Sequence, residues 1–180
     1  MKLFNPYLDL FHLMQALPEE VQLQARKKLI WAYSWAVPHS EAIHKLAEYS
    51  PLLELGSGTG YWAWLVAQAG GKIKCFDIEP HQPPRWFETH LGSPEVISQY
   101  PEHTLFLCWP PLNHPMAAQA LKLYQGRYLL YVGEWRGRTA DLDFHELLER
   151  DWELQEEIPL PHWVGYSDQL LVWVRKVSRA

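Results

Sequence analysis

Cysteine is scarce in this sequence, basic runs are short, and long apolar stretches are missing. The two cysteines, Cys75 and Cys108, lie inside apolar runs and match no zinc-ligand spacing. They read as reduced core thiols of a cytoplasmic protein, not as a disulfide frame or a metal site. The longest basic run is Arg26-Lys27-Lys28 and the formal net charge is -5. That excludes a general nucleic-acid-binding stripe and leaves room only for a small phosphate site. No segment reaches the ~20 apolar residues of a membrane span. Pro6, Asp9 and His12 break up the apolar N-terminal part, so no signal peptide is expected either. Repeats and low-complexity linkers are absent too.

What is present fits one globular domain. The chain has 180 residues, 48% hydrophobic and 21% charged, enough to bury a core without staples. Ten tryptophans stand out. A buried indole N–H needs a partner, so this number points to aromatic-lined pockets beside the core, and the apolar, tryptophan-rich composition is compatible with a homodimer.

Residues 7–17, 19–36 and 40–49 read as three leading helices, with Ser40 as the N-cap of the third. From Pro51 on, short apolar runs alternate with helical patterns. Strands are expected at 51–55, 72–78, 104–109 and 127–134, and helices at 60–69, 114–124 and 141–150 with Asp141 as a cap. The segment 79–103 is dense in proline, and "EVIS" (95–98) reads as a short strand. Two final strands without a helix between them read as an antiparallel pair. The fold class is therefore α/β: a mostly parallel sheet covered on both faces. The N-terminal helical cap (1–49) is expected over one end of the α/β core (50–180).

"LLELGSGTGYWAW" (52–64) carries the chemistry. Gly56, Gly58 and Gly60 follow a strand and open a helix, the place where ligands bind in open α/β sheets. Glu54 precedes them, and Asp77 ends the next strand, where a carboxylate can accept both hydroxyls of a ribose. Together these residues read as a nucleoside site. The dinucleotide fingerprint fails, because Tyr61 stands where the third glycine belongs, which opposes a nicotinamide oxidoreductase. No Gly-Lys-Ser/Thr follows, so the phosphate-loop motif fails as well.

"ELGSGTG" resembles the first motif of class I S-adenosylmethionine-dependent methyltransferases, and "CFDIEP" (75–80) resembles their second. "GSGTGYWA" and "LCWPP" (107–111) give a closer likeness to a set of small methyltransferase-like proteins. The resemblance spans roughly residues 50–177 and implies a seven-stranded, Rossmann-like sheet with an antiparallel last strand. It implies S-adenosylmethionine as cofactor, with Gly56, Ser57, Gly58 and Gly60 against the methionine part. Glu54 would then help hold the amino group, Asp77 the ribose, and Ile78 the adenine. At the third motif the usual acid is missing: Ser93 follows Gly92, with Glu95 as a stand-in. At the fourth, Trp109 replaces the amide or acid that nitrogen-methylating enzymes use and Leu112 replaces the aromatic. Methylation of DNA amines is thereby disfavoured.

A base for proton removal would lie just past a strand's carboxyl end, which singles out Glu134 and His114. Each also has a bland reading, Glu134 as a partner of Arg136 or Arg138 and His114 as a helix cap. Trp109 suits a flat substrate or the cofactor's sulfonium, and equally the core. Tyr33 and His39 could close over the site, with Tyr33 and Trp35 on opposite sides of one helix and Trp31 and Trp35 in the core. His162 is more remote. The sequence thus points to a methyltransferase acting on a small, aromatic or apolar molecule. A non-catalytic cofactor-binding or partner-binding protein on the same fold is the second reading.

Overall fold

The computed structural model describes residues 3–83 and 85–177; residues 1, 2, 84 and 178–180, part of the expected single domain, lie outside it. Three helices lead the chain: α1 (Pro6–Met14), α2 (Glu19–Ala32) and α3 (Ser40–Glu48). Seven strands follow: β1 (Leu52–Leu55), β2 (Ile73–Asp77), β3 (Thr89–Leu91), β4 (Thr104–Cys108), β5 (Tyr128–Gly133), β6 (Trp152–Pro159) and β7 (Gln169–Arg175). Helices α4 (Tyr61–Gln68), α5 (Met116–Leu123) and α6 (Leu142–Asp151) connect β1 to β2, β4 to β5 and β5 to β6.

The strands form one sheet in the order β3-β2-β1-β4-β5-β7-β6. β7 runs antiparallel to both of its neighbours, β5 and β6, and the other pairings are parallel. β1 stands third, beside the central β4, and the chain order reverses on its two sides, leaving a crevice at its carboxyl end where ligands bind in such sheets. All four β1 residues are buried, because helices cover both faces. Helices α1, α3 and α4 pack Tyr7, Phe11, Ile43, Leu46, Trp62 and Leu65 on one face. Helices α5 and α6 pack Ala117, Leu121, Phe144 and Leu148 on the other. Each such aliphatic side chain contributes about 1.5–3 kcal/mol by leaving water.

Four local expectations are corrected. Helix α2 ends at Ala32; Tyr33 leaves helical geometry (φ -124°, ψ -88°), and the Ser34 hydroxyl bonds to the Ala36 carbonyl in a turn. Ser40 is the first helical residue of α3, and His39 is its cap, with Nδ1 accepting from the Ala42 N–H at 3.1 Å. The "EVIS" segment is a 3-10 helix (Pro94–Gln99), started by the fixed φ of Pro94. The strand in this region is β3, which pairs with β2. The leading helices lie on the α4 face of the sheet, and the end of α2 with the turn after it reaches the cavity at the strand ends.

Candidate functional site

The glycine loop leaves β1 with three left-handed residues, Gly56 (φ 75°), Gly58 (φ 54°) and Gly60 (φ 74°). Their reasons differ. A Cβ on Gly58 would meet nothing within 4 Å, so this residue keeps backbone open to the cavity. A Cβ on Gly60 would come within 2.9 Å of Phe87 Cβ and 3.0 Å of its backbone, so this one permits close packing. The loop is tied to the end of β2, where Asp77 Oδ2 accepts from the Gly58 N–H at 2.9 Å and Oδ1 from the Glu79 N–H at 3.0 Å.

A cavity of about 520 Å³ opens above this loop, within the usual size of small-molecule sites. One half is lined by Glu54, Gly56, Ser57, Gly58, Asp77, Ile78, Ser93 and Pro94. The other is lined by Trp31, Tyr33, Trp35, Trp109, His114 and Met116. The turn after α2 roofs it. The Thr59 hydroxyl donates to the Tyr33 carbonyl, and the Trp86 indole donates to the Ala32 carbonyl at 2.7 Å.

Glu54 is only 1% exposed, and its hydrogen-bond donor is the Cys75 thiol, 3.5 Å from Oε2. Burial pushes its carboxyl up to about 8; the Cys75 bond lowers it and the charge of Asp77 raises it. A carboxyl with spare acceptor sites at a cavity wall is suited to receive a cationic group. Burial likewise raises the Cys108 thiol, an inert neighbour.

The structure brings most of the expected site residues to this one cavity: Glu54, Gly56, Ser57, Gly58, Asp77, Ile78, Tyr33, Trp109 and His114. It places three elsewhere. Gly60 lies behind the loop, against Phe87. His39 faces away, its Nδ1 capping α3 and its Nε2 3.1 Å from the Pro159 carbonyl oxygen. Glu134, expected as a base, is 5% exposed but off the cavity. Its carboxylate accepts from the backbone N–H groups of Arg138 (3.2 Å) and Ser167 (2.9 Å) and pairs with Arg138 at 3.5 Å. Arg138, not Arg136, is its partner; Arg136 pairs with Glu149. Glu95 also stays off the lining and takes the Ser93 hydroxyl instead.

Trp31 and Trp35 are 62% and 39% exposed. Both Tyr33 and Trp35 face the cavity, because the helix that would have separated them ends at Ala32. Trp109 has a left-handed backbone (φ 51°) and stacks on Trp35 with ring centroids 5.1 Å apart. Its indole donates to Asp168 Oδ1 at 2.6 Å. Burial pushes Asp168 up to about 6, with the Trp109 bond pulling it back. His114 is exposed, and its Nδ1 accepts from the Met116 N–H at 3.3 Å, so it faces the cavity while also steadying the start of α5.

No protein-family model matches the chain, and no curated protein sequence does either. Solved structures do. The chain is similar to 1,6-didemethyltoxoflavin-N1-methyltransferase of Burkholderia thailandensis, with bound 1,6-didemethyltoxoflavin and S-adenosylhomocysteine. The identity is 14%, the match covers 90% of this chain and 92% of that one, and the TM-score is 0.55. It is also similar to magnesium protoporphyrin IX methyltransferase of Synechocystis with bound S-adenosylmethionine. There the identity is 15%, the coverage 76% and 77%, and the TM-score 0.53. These likenesses show the fold: the Rossmann-like fold of class I methyltransferases, with its antiparallel last strand. Among the described residues, no helix is long and apolar enough to cross a membrane.

Proposed function

We propose that this protein is an S-adenosylmethionine-dependent methyltransferase acting on a small, flat molecule in the cytoplasm. One observation carries this reading. A buried carboxyl with spare acceptor capacity, a left-handed glycine loop and a carboxylate at the end of β2 meet on one cavity that Trp31, Tyr33, Trp35 and Trp109 also line.

The donor set fits the cofactor. Glu54 would hold the methionine amino group, its burial making an ammonium partner worth more than water could. Asp77 spends one bond per oxygen, on the Gly58 and Glu79 N–H groups, which leaves lone pairs for ribose hydroxyls. Ile78, 66% exposed, offers an apolar surface for adenine. When bound, S-adenosylmethionine supplies an electrophilic methyl group on a positively charged sulfur. The chain's own residues orient the acceptor and exclude water. The rings of Trp35 and Trp109 hold a flat acceptor, and His114 at the rim takes its proton.

A non-catalytic, cofactor-binding protein is the second reading. The fourth-strand position supports it: Trp109 replaces an acceptor amide, and its indole N–H is committed to Asp168. Calorimetric titration with S-adenosylmethionine tests cofactor binding, and absence of binding sinks both readings. Transfer of radiolabelled methyl to any small acceptor then separates them.

A further inference from the structure

Behind the aromatic wall of the cavity lies a cation for which the proposed reaction has no use. Arg26 is 5% exposed, and its Nε and Nη2 have no hydrogen-bond partner. Among the described residues it joins no salt bridge. A buried guanidinium left so is costly unless something pairs with it.

Its surroundings fix which part is free. The ring of Tyr166 lies 3.8 Å from Cζ and covers the guanidinium as a cation–π partner. The centroids of Trp35 and Trp109 are 5.6 and 5.7 Å away. Those rings are 5.1 Å apart and 16° from parallel, so Arg26, nearly equidistant from both, borders the rim of the stacked pair. What remains unpartnered is the edge carrying Nε–H and Nη2–H, two parallel donors that match the two oxygens of a carboxylate and are closed off from the cavity by the tryptophan pair. The protein uses this edge twice on its surface. Arg136 grips Glu149 with it at 2.8 and 2.6 Å, and Arg150 grips Asp151 at 2.8 and 2.7 Å. Arg26 presents the same edge with no carboxylate on it. The buried Asp168 gives Oδ1 to Trp109, leaves Oδ2 unpartnered, and does not bridge to Arg26.

We propose that Arg26 anchors the carboxylate of a flat aromatic acid whose ring lies against the Trp35–Trp109 pair, which makes aromatic acids the acceptor class of this cavity. The methyl transfer to that acceptor rests on the function proposed above; the binding does not. Trp35 is the wall that yields, since it is partly exposed and sits in the turn after α2, outside any helix.

The test is calorimetric titration of the whole protein with 2-naphthoate and with its uncharged counterpart, 2-naphthamide. S-adenosylhomocysteine is titrated in parallel. The acid binds at least about tenfold more tightly than the amide. Arg26→Lys, which keeps the charge and loses the two-donor edge, weakens that preference several-fold. Equal binding of acid and amide to the wild type overturns the proposal and leaves Asp168 as the partner of Arg26, as does binding of neither compound. An undiminished preference in Arg26→Lys overturns it too. If the variant does not fold, the wild-type comparison decides alone. Naphthoate binding without S-adenosylhomocysteine binding sinks the cofactor reading only. The converse result sinks this proposal only.

Discussion

Glu54 and Glu134 are both buried glutamates at the carboxyl ends of strands in the same sheet, 1% and 5% exposed. Glu134 is surrounded by donors: two backbone N–H groups and Arg138. Glu54 has a single thiol, and burial holds its carboxyl far above the usual range. Burial at a strand end therefore does not mark a functional acid. Unspent acceptor capacity facing a cavity does, and by that measure only Glu54 of the pair is equipped to meet a ligand.

Five substitutions put this contrast to work. The largest effect is expected from Glu134→Ala, which strands two backbone N–H groups and removes the ion pair to the half-exposed Arg138. A loss of about 3 kcal/mol, or roughly 6–12 °C in melting temperature, follows from the hydrogen bonds alone. Calorimetry on the refolded variant should find cofactor affinity within about twofold of wild type; a large affinity loss would return Glu134 to the site.

Asp77→Ala comes next. Loss of charge-assisted bonds to ribose weakens S-adenosylmethionine binding at least about tenfold, and unchanged affinity would leave the ribose without its proposed partner.

Glu54→Gln moves stability and binding in opposite directions. The folded-state value of Glu54, about 8, lies above the ordinary 4.5. The wild type therefore loses stability as pH rises from about 4.5 to about 8. The glutamine variant melts higher at pH 8, by a difference that closes toward pH 4.5, yet binds S-adenosylmethionine several-fold more weakly. Melting curves across that range check the first half, and a variant less stable at pH 8 would show that Glu54 is satisfied after all.

The last pair of substitutions separates two glycines. Gly60→Ala meets Phe87 and costs about 1–2 kcal/mol of left-handed strain plus the clash. Gly58→Ala carries only the strain, and puts its methyl where the ligand belongs. Comparing the loss of stability with the loss of affinity for each variant distinguishes a packing glycine from a binding one.

The parallel sheet was legible because buried strands read as unbroken apolar runs, as in Leu129–Val132. The glycine-loop half of the cavity was legible because Glu54, Gly56, Gly58 and Asp77 stand at the ends of two adjacent parallel strands, and their spacing along the chain is a sequence property. The aromatic half was not. Tyr33 and Trp35 continue a helical pattern that the backbone abandons at Ala32, so they were assigned to opposite faces. Glu134 matched the expected place of a base, but its partners Arg138 and Ser167 are defined by how the chain returns. Arg26 and Asp168 are 142 positions apart, and no periodicity announces that they flank the same tryptophan. His39 shows the same limit in small: an imidazole replaced the expected serine as a cap, which only backbone geometry reveals.

The edge strand β6 has a consequence of its own. Glu153 and Glu157 are exposed along it and Glu156 partly so, the ladder slips between Leu154 and Glu156, and Pro159 ends it without an N–H. Two copies joining through this edge would set glutamates against glutamates on a bent, interrupted rail. This edge thus carries its own guard against strand-by-strand growth into aggregates.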